Sequence, residues 1–331
     1  MAISSGKKIS IALATYNGEQ YLRELLESVY RQTRLPDEVI ACDDVSTDGT
    51  VGILQEYSRT QGLHYQVNPR NLGYVKNFEK TISLCSGDYI ALCDQDDRWN
   101  PDKLKILTDE IGDHSLICSD AALIDGDGNK IAGSLRRYSR IHIPSRGRQV
   151  HSLIFNNFVM GCTSLFHRSD FISSLLYPFP DGIPHDRWIA VMASMRNGIK
   201  YLKKPLIEHR LHEKNIIGAK RNNLLNDIRT CNDKLKANLN HVDIAILVND
   251  SLLLLNELEN RALVDPWMIP LDPWMISLKG NLQALLLDYK FSYFTFKHPT
   301  ANLIILQYLN YFCPSPNPFV KIMFIIENFQ K

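Results

Sequence analysis

Short apolar runs alternate with amphipathic, helix-like stretches over the first hundred residues. Four apolar runs predict strands at Ile9–Thr15, Glu38–Cys42, His64–Val67 and Tyr89–Cys93. The stretches between them predict helices at Gln20–Gln32, Thr50–Thr60 and Val75–Leu84. Strands and helices alternating at this spacing are typical of an α/β protein, with a mostly parallel sheet and helices on both faces. Ligands of such sheets bind beyond the carboxyl ends of the strands.

Length, net charge and cysteine content indicate a folded protein and argue against a nucleic-acid-binding one. The 331 residues, 45% of them hydrophobic, are enough for one large domain and an appendage. A formal net charge of +1 argues against a nucleic-acid partner, which would require a basic excess on one domain. Seven cysteines, an odd number without a Cys-x-x-Cys pair, favour a reducing compartment. No apolar run reaches the roughly 18 residues that cross a bilayer, so we expect a cytoplasmic protein.

The chain changes character after about residue 220. Long runs with helical periodicity predict a helical C-terminal region over residues 221–331. Its last part, residues 291–326, mixes aromatic and aliphatic side chains with lysines, as helices on a membrane surface do. Packing of these helices on the rest of the chain or on a second subunit explains the pattern equally well.

Polar residues follow the predicted strands, most densely after the fourth. Asp94, Asp96 and Asp97 lie there within four positions. Carboxylates this close repel one another unless a cation lies among them, and oxygen ligands favour Mg²⁺ or Mn²⁺. The alternative is a solvated acidic turn that caps the helix beginning near Pro101. The place of the group after a strand of the alternating series favours a metal site.

A second acidic group, Asp43 and Asp44, follows the second strand. We expect Asp44 to point from the strand end toward a ligand, where it could accept a hydrogen bond from the imide N–H of a nucleobase. Ser46, Thr47 or Asp48 would cap the next helix. Capping alone explains Asp48 better than Asp44.

Four segments form a joint pattern: Ile9–Gly18, Asp43–Thr50, Asn71–Glu79 and Asp94–Trp99. The pattern resembles glycosyltransferase family 2, the inverting class with the GT-A fold, and within it the bacterial rhamnosyltransferases of surface polysaccharide synthesis. The resemblance covers roughly residues 9–220. It implies a Rossmann-like GT-A catalytic domain at 1–220, with a nucleotide-binding half at 1–100 and an acceptor half at 101–220.

The resemblance also implies binding residues. Those of the nucleotide pocket would be Thr15, Tyr16, Glu19, Asp44, Lys76 and Asp94. Asp94 and Asp96 would form the DxD motif of the family and hold Mg²⁺ or Mn²⁺, with His212 as a further ligand of the metal or the diphosphate. Val45 stands where the family commonly has glycine. Because valine does not easily adopt a positive φ, we expect a different turn after Asp44.

Two later motifs resemble the catalytic part of the family. His185-Asp186-Arg187-Trp188 is similar to the motif that supplies the base, which implies that Asp186 removes the proton of the acceptor hydroxyl. His185 would orient that carboxylate, or is a packed or capping histidine. The segment from His209 is similar to a loop that closes over the diphosphate, which implies that Arg210 clamps phosphate; taken alone, Arg210 could be a surface charge.

The predicted function is that of a metal-dependent inverting glycosyltransferase. It would move a hexose or deoxyhexose such as rhamnose from a UDP- or dTDP-sugar to a hydroxyl of a growing, lipid-linked bacterial surface polysaccharide such as O-antigen or capsule. We expect the transfer to take place at the inner face of the cell membrane. The protein would be peripheral to the membrane or homo-oligomeric.

Two alternatives stay open at this point. A nucleotidyltransferase would also join an α/β sheet to a metal, but it usually carries a basic, Gly-rich loop after the first strand, where this chain has Thr15–Glu19. A non-catalytic glycan- or nucleotide-binding scaffold in an assembly complex would not need the full set of acidic residues and His212.

Overall fold

The computed structural model divides the chain into two compact units. One comprises residues 1–136 and 159–219, and the other residues 137–158 and 220–331. The described residues are 6–139, 141, 143–144, 149–154, 157–171, 178–212, 251–261, 273, 275–276, 278–280 and 283. The segment proposed for a membrane surface, residues 291–326, lies outside them. The domain boundaries drawn from the sequence stay a prediction.

A nine-stranded mixed sheet forms the centre of the described part of the first unit. Its strands are β1 Ile9–Thr15, β2 Glu38–Asp43, β3 His64–Val67, β4 Tyr89–Asp94, β5 Arg98–Trp99, β6 Leu116–Ile124, β7 Lys130–Ala132, β8 Ser164–His167 and β9 Ile199–Arg210. The order across the sheet is β3-β2-β1-β4-β8-β6-β9-β5, and β7 pairs with β6. The first four strands pair in parallel, β6 pairs in parallel with β9, and β8 joins the two halves by antiparallel pairing.

Helices lie between these strands along the chain. They are α1 Glu19–Tyr30, α2 Thr50–Gln61, α3 Tyr74–Leu84, α4 Lys103–Glu110, α5 Leu135–Tyr138, α6 Gln149–Leu153 and α7 His185–Ser194. The strands and helices expected over the first hundred residues are all present, with ends within two residues. The predicted α/β class with a mostly parallel sheet is confirmed.

The pattern of buried residues explains these elements. β1 is apolar and buried along almost its whole length, as a central strand covered on both faces must be. In α1 the buried residues Leu22, Leu25, Leu26 and Val29 recur at helical spacing and form one face. α2 is followed by its C-cap residue Gly62, whose φ of 73° is the left-handed conformation that glycine adopts without strain.

The register of the parallel strands places their carboxyl ends together. Thr15 at the end of β1 lies opposite Asp43 of β2, and Ala14 lies opposite Asp94 of β4. β9 runs parallel to β6 and ends at Arg210. Shortly before this end, Ile207 and Glu208 pair in antiparallel fashion with Trp99 and Arg98 of β5. The polar residues after β1, β2 and β4 therefore share one rim of the sheet.

The second unit contains α6 and a helix over residues 251–261. The Ser251 hydroxyl donates a hydrogen bond of 3.0 Å to the carbonyl of Ile154, which joins the two segments of this unit. Within the described part of the chain, no helix is long and apolar enough to cross a membrane.

The described cysteines are free thiols inside the protein. They are Cys42, Cys85, Cys93, Cys118 and Cys162. Burial raises the pKa of each of these thiols above its usual value. A thiol with a raised pKa carries little of the reactive thiolate at neutral pH.

The central position of β1 predicts a large cost for shortening its core side chain. Leu13 is 0% exposed, so Leu13→Ala should lower the free energy of unfolding by about 2–5 kcal/mol. Leu35 is 60% exposed, and Leu35→Ala should change that free energy by less than about 0.5 kcal/mol. Urea unfolding of both variants measures the difference, and equal effects would contradict the assignment of β1 as a buried central strand.

Candidate active site

Hydrogen bonds between the loops that follow β1 and β2 make the rim rigid. The Thr15 hydroxyl donates to Asp43 Oδ1 over 2.9 Å, and the Asp44 N–H donates to the Thr15 carbonyl over 2.8 Å. The Asn17 N–H donates to Ser46 Oγ over 2.8 Å. Thr15 is itself buried, so its part in the site is to hold the rim together.

Tyr16 is held by its backbone while its ring stays exposed. Its N–H donates to Gln95 Oε1 over 2.8 Å, and Gln95 Nε2 donates to the Tyr16 carbonyl over 2.9 Å. This two-way link ties the end of β1 to the residue after β4. The Tyr16 residue is 50% exposed, which leaves its aromatic ring available to a ligand.

Glu19 joins the start of α1 to the start of α2. Its Oε2 accepts the N–H of Gly49 over 2.8 Å, and its own N–H donates to Asp48 over 3.2 Å. Asp48 Oδ1 accepts the N–H of Thr50, the first residue of α2, over 3.0 Å, but the N-cap residue of α2 is Gly49, so Asp48 supports the start of the helix from one position before the cap. The contact of Glu19 with a nucleotide stays a prediction.

Asp44 is buried, and both of its carboxylate oxygens accept hydrogen bonds from the protein. Asp44 Oδ1 accepts the N–H of Leu72 over 2.7 Å and the Asn68 amide over 2.9 Å, and Oδ2 accepts the N–H of Gly73 over 2.9 Å. Only 2% of the residue is exposed. The carboxylate therefore positions the segment before α3, and its contact with a nucleobase stays a prediction.

Val45 adopts the conformation that the sequence argued against. Its φ is 66°, in the left-handed region, so the expectation of a different turn after Asp44 is wrong. Asp43 holds the turn, because its carboxylate accepts both the N–H of Ser46, over 2.8 Å, and the hydroxyl of Ser46, over 2.6 Å. These bonds, rather than the preference of valine, determine the backbone here.

The end of β4 presents a carboxylate to the rim. None of the described residues donates a hydrogen bond to the half-buried Asp94 side chain. Burial, together with the nearby charges of Asp97 and Asp96, raises the pKa of Asp94 to about 8. Burial and Asp97 also raise the pKa of Asp96, whose Oδ2 lies 2.9 Å from Nε2 of His212. The structure thus pairs two of the predicted metal ligands, Asp96 and His212, and places Asp94 close enough for the charge of Asp96 to raise its pKa.

Asp97 and His209 form a buried pair behind this group. His209 Nδ1 lies 2.8 Å from Asp97 Oδ1, which also accepts the N–H of Arg210 over 3.2 Å. Burial lowers the pKa of His209, but the Asp97 charge more than offsets this effect and raises it to about 9. The protonated imidazole in turn holds the pKa of Asp97 below its usual value. The pair was missed in the sequence, where Asp97 was visible only as the third aspartate of its group.

A cluster of Asp97, Cys162 and His209 also has the spacing of metal ligands, with one atom of each within 4.8 Å of the others. Next to it lies the buried Lys103, whose Nζ donates to the Cys162 carbonyl over 2.6 Å and lies 3.2 Å from the centre of the Trp99 ring. Burial lowers the pKa of Lys103 to about 8, so at neutral pH it is mostly protonated. Two cations already face the single Asp97 carboxylate. We therefore assign this cluster a structural role.

Arg210 is a buried structural link. Its guanidinium donates to the carbonyls of Asp96, Asp125 and Gly126 and to the carboxylate of Glu24. With 2% of the residue exposed, the alternative of a surface charge is wrong. A phosphate clamp would require the side chain to leave these partners, so this geometry supports positioning of the Asp96 backbone instead.

Tyr21 of α1 contacts both Arg210, at the end of β9, and His212 two residues later. The Arg210 guanidinium carbon lies 4.5 Å from the centre of the Tyr21 ring, and the centre of the His212 ring lies 5.1 Å away. The aromatic ring therefore helps to place the imidazole that contacts Asp96.

Asp186 lies in the first turn of α7, close to the same rim. It accepts the N–H of Arg187 over 2.6 Å. Burial raises the pKa of Asp186 to about 6, although hydrogen bonds from the backbone of Arg187 and Gly161 oppose this rise. Its charge contributes to the raised pKa values of both Asp94 and Tyr74, which shows that these groups are electrostatic neighbours. The structure thus places the predicted base near Asp94, one of the predicted metal ligands.

His185 and Lys76 have other partners. The His185 ring stacks on Phe78, with 3.9 Å between centres and 16° between planes, and both of its nitrogens are buried without hydrogen-bond partners. Burial lowers the pKa of His185 to about 3, so the ring is neutral, and the packed-histidine alternative describes it. The His185 ring donates no hydrogen bond to Asp186. Lys76 lies 3.0 Å from the Glu79 carboxylate and 3.7 Å from Asp181. Its contact with a nucleotide stays a prediction.

Comparison with known proteins places this site in context. Residues 10–174, about half of the chain, match the model of the family described as glycosyl transferase family 2. The putative glycosyltransferase EpsH of Bacillus subtilis (strain 168) is 26% identical, over 75% of this chain and 77% of EpsH. The dTDP-rhamnosyl transferase RfbG of Shigella flexneri is 29% identical, over 62% of this chain and 74% of RfbG.

A solved structure is also similar. TarS of S. aureus, residues 1–349, crystallised with UDP-GlcNAc, has a TM-score of 0.55 and covers 98% of this chain and 89% of that chain. Because its sequence identity is 17%, the likeness concerns the fold alone.

Neutralising Asp186 should stabilise the protein at neutral pH. The pKa of about 6 in the folded state exceeds the ordinary 3.8, so the folded state binds the proton more tightly and loses stability as the pH rises from about 4 to about 6. Asp186→Asn removes this loss. With a discount for the partly exposed side chain, it should gain on the order of 1–2 kcal/mol at pH 7.5 and little at pH 4.5.

Thermal unfolding at the two pH values measures this gain. Asp181→Asn is the matched control, because the Asp181 side chain is 95% exposed. A variant at position 186 that is less stable than the parent protein at pH 7.5 would contradict the burial of this carboxylate.

Proposed function

The chain belongs to glycosyltransferase family 2, and we propose that it is a metal-dependent inverting enzyme that transfers a hexose or deoxyhexose from a UDP- or dTDP-sugar to a hydroxyl of a glycan. The observation that carries the proposal is the proximity of Asp186 to Asp94. These carboxylates come from separate elements, each has a raised pKa, and the charge of Asp186 contributes to the raised pKa of Asp94. Paired titratable groups of this kind mark catalytic sites.

The proposed metal ligands are Asp94, Asp96 and His212. Carboxylate oxygens with one imidazole suit Mn²⁺ or Mg²⁺. Asp94 has acceptor oxygens to offer, because no described residue donates a hydrogen bond to its side chain. When bound, the cation would offset the negative charge that develops on the departing nucleoside diphosphate. Tyr21 and Arg210 would keep His212 and the Asp96 backbone in place.

Asp186 is the proposed catalytic base. Its pKa of about 6 leaves it mostly ionised at neutral pH yet basic enough to take the proton of an acceptor hydroxyl. The N-terminus of α7 and the N–H of Arg187 keep the carboxylate oriented. In an inverting transfer the acceptor oxygen bonds to the anomeric carbon as the bond to the nucleotide breaks on the opposite face.

The proposed donor pocket lies at the ends of β1 and β2. Tyr16, with its exposed ring, would contact the nucleotide, and Thr15, Glu19, Asp44 and Lys76 would line or support the pocket. The dTDP-rhamnosyl transferase and the TarS complex with UDP-GlcNAc support a pyrimidine nucleotide sugar as the donor class.

The proposed acceptor is a growing bacterial surface polysaccharide on a lipid carrier, met at the inner face of the cell membrane. The name of the Shigella relative supports a rhamnose-type donor for this transfer. Contact of residues 221–331 with the membrane or with a second subunit belongs to the same proposal.

Asp186→Asn should abolish transfer while the donor still binds. The amide keeps the shape of the side chain but cannot accept the proton, so kcat should fall by at least about 100-fold, with the donor Kd within about threefold. Radiolabelled sugar transfer and calorimetric titration of UDP- and dTDP-sugars with Mn²⁺ measure the two quantities. Asp181→Asn should leave both unchanged, and undiminished transfer by Asp186→Asn would remove the base assignment.

The same assays separate the alternatives. A binding scaffold would neither transfer nor hydrolyse the donor in either protein, and a nucleotidyltransferase would release pyrophosphate or a nucleotidyl product.

Binding of Mn²⁺ should tighten as the pH rises toward 8. Asp94, with a pKa of about 8, must lose its proton before it can bind a cation, so the affinity should rise by up to about tenfold per pH unit below that value. Calorimetric titration between pH 6 and pH 8.5 measures this dependence. Asp94→Asn should weaken binding and flatten the pH profile, and Asp96→Ala should weaken binding at every pH. A wild-type affinity independent of pH would contradict the assignment of Asp94.

A further inference from the structure

Val45 is strained in a way that its neighbours are not. Among the described residues other than glycine, only Asn17 and Val45 have a positive φ, of 48° and 66°. Asparagine tolerates this region, whereas for a β-branched residue it is an outlier that costs about 1–3 kcal/mol. A glycine would form the same turn without that cost.

The surrounding bonds impose the conformation on Val45 from both sides. Asp43 holds the next residue, Ser46, by two hydrogen bonds, and Asp44 holds the N–H groups of Leu72 and Gly73. Val45 is not part of the buried core that could account for the strain, because the residue is 37% exposed. Neither the turn nor the core explains why a branched apolar residue stands here.

The position of Val45 on the rim suggests an explanation. The hydrogen bond from the Asp44 N–H to the Thr15 carbonyl places Tyr16 and Val45 at neighbouring strand ends. Both are exposed apolar residues, at 50% and 37%. β1 separates β2 from β4, so Val45 lies about two strand spacings, roughly 10 Å, from the Asp94 end of the site. A nucleoside diphosphate has this reach between its base and its phosphates.

We propose that Val45 is held in its strained conformation in order to present its isopropyl group to the pyrimidine base of the donor nucleotide, beside Tyr16. This inference rests on the proposed function and adds a base-contacting residue to it. A planar pyrimidine would remove the exposed apolar surface from water, and that gain would offset the strain only in the complex.

Val45→Gly tests the proposal because it separates the strain from the contact. Relief of strain should raise the melting temperature of the ligand-free protein by a few degrees. Loss of the apolar contact should raise the Kd for UDP or dTDP, whichever the parent protein binds more tightly with Mn²⁺, by about 3- to 10-fold. The Kd for inorganic pyrophosphate with Mn²⁺ should stay unchanged, because pyrophosphate lacks the base.

Val45→Asn controls for the added flexibility of glycine. Asparagine accepts a positive φ but is polar, so it should weaken nucleotide binding as glycine does and leave pyrophosphate binding intact. Weaker binding by the glycine variant alone would assign the effect to backbone flexibility and overturn the proposal, as would unchanged nucleotide affinity in both variants.

The outcomes also separate this proposal from the proposed function. A parent protein that binds neither nucleotide would overturn both. A parent protein that binds a nucleotide no better than its Val45 variants overturns only the role of Val45.

Discussion

The parallel pairing of β1 with both β2 and β4 is the constraint on which the site depends. Because the three strands run in the same direction and in register, Thr15, Asp43 and Asp94 end at one rim. The antiparallel strand β8 continues the sheet on the far side of β4, and β9 then returns in parallel with β6 to deliver the residues that contact Asp96. Residues more than a hundred positions apart thus become neighbours through backbone pairing alone.

This convergence creates an electrostatic problem, because three aspartates after β4 share one partly buried place. The three carboxylates differ in how their charge is compensated. Asp97 is paired with the protonated His209 and accepts the N–H of Arg210, so its pKa is lowered despite its burial, whereas Asp94 and Asp96 keep raised pKa values. One carboxylate is neutralised by the protein and two are left with a preference for a cation or a proton. This difference indicates a structural role for Asp97 and a ligand-binding role for Asp94 and Asp96.

Sequence patterns predicted the parts of the molecule that depend on periodicity and strand ends. Continuous apolar runs gave β1 and β4 to within one residue, and the aspartates after β4 predicted the meeting of Asp94 and Asp96. The partner of Asp96, His212, was found only through resemblance to a family motif. A strand end can be read from local composition, but the loop that will face it cannot.

The roles that differ from expectation involve partners distant in the chain. Nothing near Arg210 indicates that it will be buried against Glu24, and nothing near His185 indicates that its ring will stack on Phe78. The prediction for the turn at Val45 is wrong for the opposite reason. The local preference of valine is clear, but the hydrogen bonds of Asp43 override it. Local propensity yields where several tertiary bonds agree on one conformation.

The enclosed thiols of the first unit have a practical consequence. Cys42 and Cys93 lie on central strands, and Cys162 lies beside the Lys103 ammonium. An alkylating reagent can reach such sulphurs only when the surrounding structure opens, so the rate of their modification reports how often the sheet separates. Alkylation of these cysteines would therefore measure local opening of the sheet next to the candidate active site, because Cys42 and Cys93 directly precede Asp43 and Asp94.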